Sequence, residues 1–128
     1  MIALLDTSTP TARLCFMTEA MQIDTEWESG RELAKGLLRW LDTTLHENGY
    51  NLQSLEGIGV FQGPGSFTGL RIGMATANTL AENLRIPIVT ATGDDWRSTC
   101  VRRLRDGEND KIALPLYDRD ANITKPRK

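Results

Sequence analysis

The sequence predicts one α/β domain: a mixed five-strand sheet with helices at about residues 30–48, 68–84 and 93–105. Three observations predict it. The first 28 residues hold three short strand-like runs separated by turn residues, which reads as an antiparallel meander. Beyond them, segments of helical period alternate with short apolar runs, the pattern of parallel strands joined by helices. A glycine-rich turn, Gly63-Pro64-Gly65-Ser66-Phe67-Thr68-Gly69, stands between an apolar run and a long helical segment.

Taken in order, Ile2-Ala3-Leu4-Leu5-Asp6 predicts a buried strand ending in a carboxylate, followed by the hydroxyl-rich turn Thr7-Ser8-Thr9-Pro10-Thr11. Ala12 to Thr18 returns as a second strand. From Met21 to Glu28, Met21, Ile23, Thr25 and Trp27 alternate with Gln22, Asp24, Glu26 and Glu28, a half-buried strand near an edge. Gly30 to Asn48 has helical period and is closed by Asn48-Gly49. Its apolar stripe runs through Leu33, Ala34, Leu37, Leu38, Trp40, Leu41, Thr44 and Leu45. That is wider than the roughly 100° a helix needs against one sheet. Either one edge of the stripe faces something beyond its own sheet, or bulky Trp40 over-covers it. After a polar connection, Leu55 to Phe61 predicts the strand that feeds the glycine turn.

That turn brings backbone N–H groups to a helix N-terminus, an arrangement that suits an anion; alternatively it is a tight turn needing glycine at φ > 0, with Gly65 and Gly69 as the reversal points. A Walker loop is excluded because Leu70-Arg71 follows Gly69 where Lys-Ser/Thr is required. A dinucleotide fingerprint fits poorly: Gly63, Gly65 and Gly69 are spaced one residue too wide, and Pro64 lacks an N–H. The helix from Thr68 to Leu84 carries only Arg71 and Glu82 as charges. Gly73, Met74, Ala77, Leu80 and Ala81 belong to one apolar stripe; Ile72, Ala75, Thr76, Thr79 and Asn83 form a second, neutral face where a solvated helix would carry lysine and glutamate. Such a helix is expected to be covered on two sides, by the first helix or by a partner. Arg85 to Ala91 is the next strand, with Pro87 near its start. Thr92-Gly93-Asp94-Asp95 caps a third helix whose arginines, Arg97, Arg102, Arg103 and Arg105, gather toward its C-terminal end. Residues 106–111 read as a charged break, Ile112 to Tyr117 as a short apolar run, and Asp118 to Lys128 as a basic tail.

Composition narrows the function classes. With 128 residues and 40% hydrophobic content the chain can bury a core of its own. No apolar run has membrane-spanning length, and no basic leader precedes Asp6, so the expectation is a cytoplasmic protein. Cys15 and Cys100 have no metal or redox spacing and are expected as free, packed thiols. His46 is the only histidine, which excludes a multi-histidine metal site and leaves Ser66 with no visible base. Residues 1–96 hold 6 Lys+Arg against 12 Asp+Glu, residues 97–128 hold 9 against 5; a basic end on an acidic body is an interaction tail or a solvated surface.

The segment Gly63-Pro64-Gly65-Ser66-Phe67-Thr68-Gly69-Leu70-Arg71-Ile72-Gly73, together with the Asp6-Thr7-Ser8-Thr9 start, resembles the TsaB (YeaZ) family. These are bacterial partner subunits in the machinery that makes threonylcarbamoyladenosine in tRNA. The resemblance implies a ribonuclease-H-like lobe of the actin and sugar-kinase ATPase superfamily over residues 1–105. Residues 106–128 would then be a charged linker and a tail, in which Leu114-Pro115-Leu116-Tyr117-Asp118-Arg119 is similar to the family's C-terminal ending. Most of a second lobe is missing between them, as in an internally shortened member.

It further implies a non-catalytic, activating subunit that binds a TsaD-type catalytic subunit. A TsaE-type ATPase joins the complex, tRNA is met indirectly through it, and a homodimer forms when the chain is alone. TsaD proteins carry metal-ligand histidines on the helix matching Gly30 to Asn48; here Leu33 and Leu37 face inward and only His46 is present, so neither metal nor catalytic residues are expected. The expected partner interface is Leu33, Leu37, Trp40 and Leu41 of the first helix with Ile72, Ala75, Thr76 and Thr79 of the second. No tightly bound cofactor is expected; weak ATP or ADP contact would fall on Asp6, Thr7, Ser8, Gly63, Gly65 and Ser66. Two alternatives stand beside this reading: a small nucleotide-binding phosphotransferase or hydrolase using Asp6 and the glycine loop, and a dinucleotide-binding fragment.

Overall fold

Strand runs that are apolar on both faces must lie between two layers, and the runs at residues 2–6 and 57–61 do so. The computed structural model describes residues 1–116. In it β1 (Ile2–Asp6), β2 (Thr11–Met17), β3 (Gln22–Glu28), β4 (Gly57–Phe61) and β5 (Ile88–Ala91) form one sheet in the order β3-β2-β1-β4-β5. The meander β1–β2–β3 is antiparallel, while β4 and β5 add in parallel beside β1.

Register assigns each face of the sheet to a different helix layer. Leu5 pairs with Leu14 and Val60, and this row packs under α1 (Leu33–Glu47) and α2 (Phe67–Leu84). One residue back, Leu4 pairs with Cys15 and Gly59, and that row faces α3 (Trp96–Arg105) through Cys100 and Val101. The outer strand β3 joins the first layer by its inner side chains. Trp27 lies on α1 so closely that a β-carbon at Gly36 would meet its ring at 2.7 Å, and Trp27 and Trp40 pack with ring centroids 5.4 Å apart.

The predicted ribonuclease-H-like α/β architecture matches, with the three helices in their predicted places; several boundaries differ for local reasons. Residues 30–32 form a 3₁₀ turn that leads into α1. The strand β4 starts at Gly57 because Leu52–Ser54 is a 3₁₀ turn boxed by Asn51 and Ser54. The strand β5 starts at Ile88 because Arg85, in the left-handed region at φ 57°, closes α2, and Pro87 stays outside the strand with its carbonyl accepting from Ile58 N–H.

One boundary is a correction. Residues after α3 are not a loose linker beginning at 106. The segment 107–116 folds back along β5 and α2. Asn109 Oδ1 accepts from Ile88 N–H, Asp110 Oδ2 accepts from Thr90 N–H, and Asp110 N–H donates to Ile88 C=O. Further on, the Asn78 side-chain amide makes a reciprocal pair with the Ala113 backbone, at 2.7 and 3.0 Å, and Ala113 is 1% exposed. Polar side chains thus take the open edge of β5 that a further strand would otherwise cover. The lobe therefore runs through 116. The family-like ending from Tyr117 onward, with the basic tail to Lys128, lies outside the described residues.

Candidate functional site

Two places on this fold hold the residues singled out by sequence: the upper end of the sheet, where β1, β4 and β5 finish, and the outer surface of the α1–α2 layer.

At the upper end the β1–β2 turn and the glycine loop are pressed together. Thr7 Oγ1 donates to the Gly69 carbonyl at 2.7 Å, with Thr7 only 1% exposed. Ser66 N–H donates to the Ser8 carbonyl at 2.8 Å. Ser66 caps α2, its Oγ accepting from Gly69 N–H. The Asp6 carboxylate accepts from Ser8 N–H at 2.8 Å, closing a tight turn. Side chains at three glycines would collide with this turn: a β-carbon at Gly65 would strike Ser8, one at Gly69 the Thr7 carbonyl, and one at Gly73 the Thr7 hydroxyl.

This corrects the reason for those glycines. Gly65 and Gly69 are not at positive φ; among the loop's glycines only Gly63 is, at 118°. The requirement is close approach to a neighbouring backbone. The proposed nucleotide-contact residues are thus brought together, but Thr7, Ser8 and Ser66 largely satisfy one another. What stays open is a groove of about 450 Å³ lined by Asp6, Ser8, Phe61, Pro64, Asp94 and Trp96. Two of these are carboxylates, so a phosphate entering it meets like charge unless a cation accompanies it. Asp94 was not foreseen; its position in the α3 cap, Thr92-Gly93-Asp94-Asp95, was the only available signal. Among the described residues no three His, Cys, Asp or Glu side chains gather as metal ligands. His46 lies at the exposed end of α1, 3.4 Å from Asp42.

On the helix layer, the eight residues expected to form a partner surface divide. Leu33, Leu37 and Leu41 are 4%, 0% and 3% exposed and are packed in the chain's own core. They hold the layer from beneath and present nothing to a partner, which corrects their assignment as interface. Trp40 is half-buried against Trp27, and Ile72 is half-buried as well. Ala75 and Thr79 are exposed and Thr76 is half-exposed. These last three, with Ala34, Leu38 and Asn83, line a shallow groove of about 350 Å³ between α1 and α2. It contains no charged residue. Leu38, 49% exposed, is the large apolar side chain on its rim. Ala34 and Leu38 were visible at one margin of the over-wide stripe, but periodicity alone did not say which margin the sheet leaves bare.

Three of the four arginines of α3 are paired within the chain. Arg97 pairs with Asp24 at 2.8 Å, Arg102 with Asp106 at 3.7 Å, and Arg103 with both Glu108 and Asp110 at 2.6 Å. Hydrogen bonds from Arg103 hold the Asp110 carboxyl below the usual carboxylate range. On the same side of the sheet, burial pushes the Cys15 and Cys100 thiols up to about 11. No helix among the described residues is long and apolar enough to cross a membrane.

Comparison with known proteins adds the following. The family model described as "TsaD: tRNA N6-adenosine threonylcarbamoyltransferase" matches residues 27–92, more than half of the chain. That span contains α1, β4, α2 and β5. A tRNA threonylcarbamoyladenosine biosynthesis protein TsaB from Haemophilus influenzae is 27% identical over 110 residues, covering 86% of this chain and 47% of the relative. The protein of the same name from Escherichia coli is 29% identical over 101 residues, covering 72% and 44%. Among solved structures, YeaZ from Pseudomonas aeruginosa superimposes with a TM-score of 0.66 at 30% identity, covering 71% of this chain and 43% of that one. A second, described as an uncharacterized protein with similarity to peptidase YEAZ from Pseudomonas aeruginosa, gives a TM-score of 0.67 at 30% identity, covering 71% and 42%. The chain spans less than half the length of the curated relatives it matches.

Proposed function

The chain belongs to the TsaD family of tRNA N6-adenosine threonylcarbamoyltransferase, with TsaB and YeaZ proteins among its relatives, and from that premise we propose that it serves the threonylcarbamoyladenosine modification of tRNA as a binding subunit. Its partner in this reading is a TsaD-type catalytic subunit. The contact is made by the outer surface of α1 and α2, and a TsaE-type ATPase is met only through the assembly.

The observation that carries the reading is the uncharged groove between the two helices. Leu38, Ala75, Thr76 and Thr79 sit side by side on a surface that a solvated helix pair would cover with charge. Small residues along α2 let another helix approach closely, so two helices of a partner can complete a four-helix layer. The family match covers both helices.

A binding role also suits the chemistry of the upper site. Ser66 Oγ accepts the Gly69 N–H as a helix cap, and the one histidine lies on another element, beside Asp42. A nucleophilic serine needs a base within hydrogen-bond reach. The test is co-purification with the TsaD-type subunit of the same organism: the reading expects a stable complex, and failure to form one at micromolar concentrations overturns it. Self-association through the same groove, seen as a dimer in solution that the partner dissociates, is the expected behaviour of the chain alone.

A further inference from the structure

Two non-glycine residues of the described chain hold a left-handed backbone, Arg85 at φ 57° and Lys111 at φ 70°. An L side chain is disfavoured there, and glycine is the unstrained occupant. Arg85 stands where a helix-closing glycine is usual: Ile86 N–H bonds back to the Ala81 carbonyl at 3.0 Å and Arg85 N–H to the Glu82 carbonyl at 3.3 Å. Lys111 turns the chain between Asp110 on the β5 edge and Ala113 on α2. The two positions are far apart in sequence, yet both residues line one groove of about 580 Å³, with Asn78, Glu82, Pro87 and Asn109.

Backbone strain that persists at two such positions points to a use for the side chains. Both are exposed cations. Among the described residues neither side chain takes part in an ion pair or a hydrogen bond, whereas three arginines of α3 are paired internally. Beside them Asn109 uses its Oδ1 to accept from Ile88 and Lys111 N–H, which leaves its amide N–H₂ available as a donor. Glu82 lines the same groove as the two cations, so a single small anion gains little there. A polymer with regularly spaced phosphates can engage both cations at once.

We propose that this groove binds the phosphate backbone of RNA, with Arg85 and Lys111 as two phosphate contacts. The choice of RNA over an acidic protein rests on the role in tRNA modification proposed above. The contact is independent of base sequence, because cations and an amide donor on a backbone position a nucleic acid without reading it.

The experiment measures binding of an unmodified tRNA transcript to the full chain across a salt series, for wild type and for Arg85→Gly/Lys111→Gly. Wild type binds at low salt. The double variant loses about ten-fold in affinity, and its log–log salt slope falls by about two, near one per phosphate contact. Its melting temperature stays at or above the wild-type value, because glycine relieves the left-handed backbone at both positions. That readout separates a binding role from a structural one, which predicts a lower melting temperature and unchanged RNA affinity. No tRNA binding by wild type, or equal affinity and slope in the variant, overturns the proposal. So does loss of polyglutamate binding with RNA binding unchanged, which would assign the groove to an acidic protein. Capture of the TsaD-type subunit is measured on the same samples. If wild type and variant capture it equally and RNA binding does not change, the RNA contact fails and the subunit role stands; if neither captures it, the role fails whatever the RNA result.

Discussion

Thr7 and Gly69 are 62 positions apart, and the hydroxyl of one donates to the carbonyl of the other at 2.7 Å in a buried contact. This bond fixes the β1–β2 turn on the first turn of α2. It also explains why α2 opens with Gly69 and Gly73: each lies directly against Thr7, one against its carbonyl and the other against its hydroxyl.

The two glycines are expected to respond differently to the same change. Gly69→Ala drives a methyl into backbone, while Gly73→Ala drives one into the Thr7 side chain. Each is expected to destabilise the chain by about 1–3 kcal/mol. Adding Thr7→Ala removes the hydroxyl that Gly73→Ala meets, so the pair is sub-additive in thermal melts. With Gly69→Ala the same addition gives no relief, since the Thr7 carbonyl remains. Wild-type melting temperatures for both single variants would contradict the clasp.

The strap along β5 makes stability depend on acid. The Asp110 carboxyl is depressed by its hydrogen bonds from Arg103, so it stays ionised in the folded state to lower pH than in the unfolded chain. A depressed group contributes stability above its unfolded value, about 4, and loses it as pH falls through the folded one. Asp110→Asn is therefore expected to cost about 2 kcal/mol at neutral pH. The gap to wild type should narrow below about pH 4 in denaturant titrations. A gap that is constant down to pH 2 would show that the ionised carboxylate is not what holds the edge.

How far the sequence was legible follows from the kind of force involved. Period and apolar runs report burial, so β1, β4 and the buried stripe of α2 could be read directly from Leu4, Val60 and Ala77. Contacts between polar groups leave no periodic trace. Nothing in Asn78, Asn109 or Asp110 announces that they bind the β5 edge and its neighbours, so residues 107–116 read as a linker. Likewise Gly65 and Gly69 announce that something is close or strained, but not which. Leu33, Leu37 and Leu41 failed as interface residues because a stripe wider than its sheet does not reveal which flank is bare. Trp27, arriving from β3 onto Gly36 and Trp40, covers one flank and leaves the Leu38 side open.

The upper groove is expected to hold ATP or ADP weakly. Asp6 and Asp94 both line it, and the Ser8 and Ser66 backbone groups nearest to it are already paired. Calorimetric titration of magnesium–ATP should give a Kd of about 1 mM or weaker. A submicromolar Kd would restore the nucleotide-enzyme reading.

Neighbouring leucines on α1 separate core from contact surface. Leu37 is 0% exposed and Leu38 is 49% exposed. Leu37→Ala is expected to lower stability by about 2–5 kcal/mol. Its effect on partner capture should follow only from the fraction unfolded. Leu38→Ala should stay within about 0.5 kcal/mol of wild type in stability and still weaken capture of a TsaD-type subunit. The groove across from it gives the sharper test. Ala75→Glu and Thr76→Glu each place a carboxylate among Leu38, Thr79 and Asn83, where the chain alone leaves it in water and the fold intact. In a closed helix layer the same carboxylate is dry and unpaired, a cost of about 3 kcal/mol or more, which is at least a hundred-fold in affinity. Circular dichroism should show wild-type helix content for both variants while pull-down of the partner is lost. Wild-type capture by either variant, with the fold confirmed, would move the partner surface off these two helices.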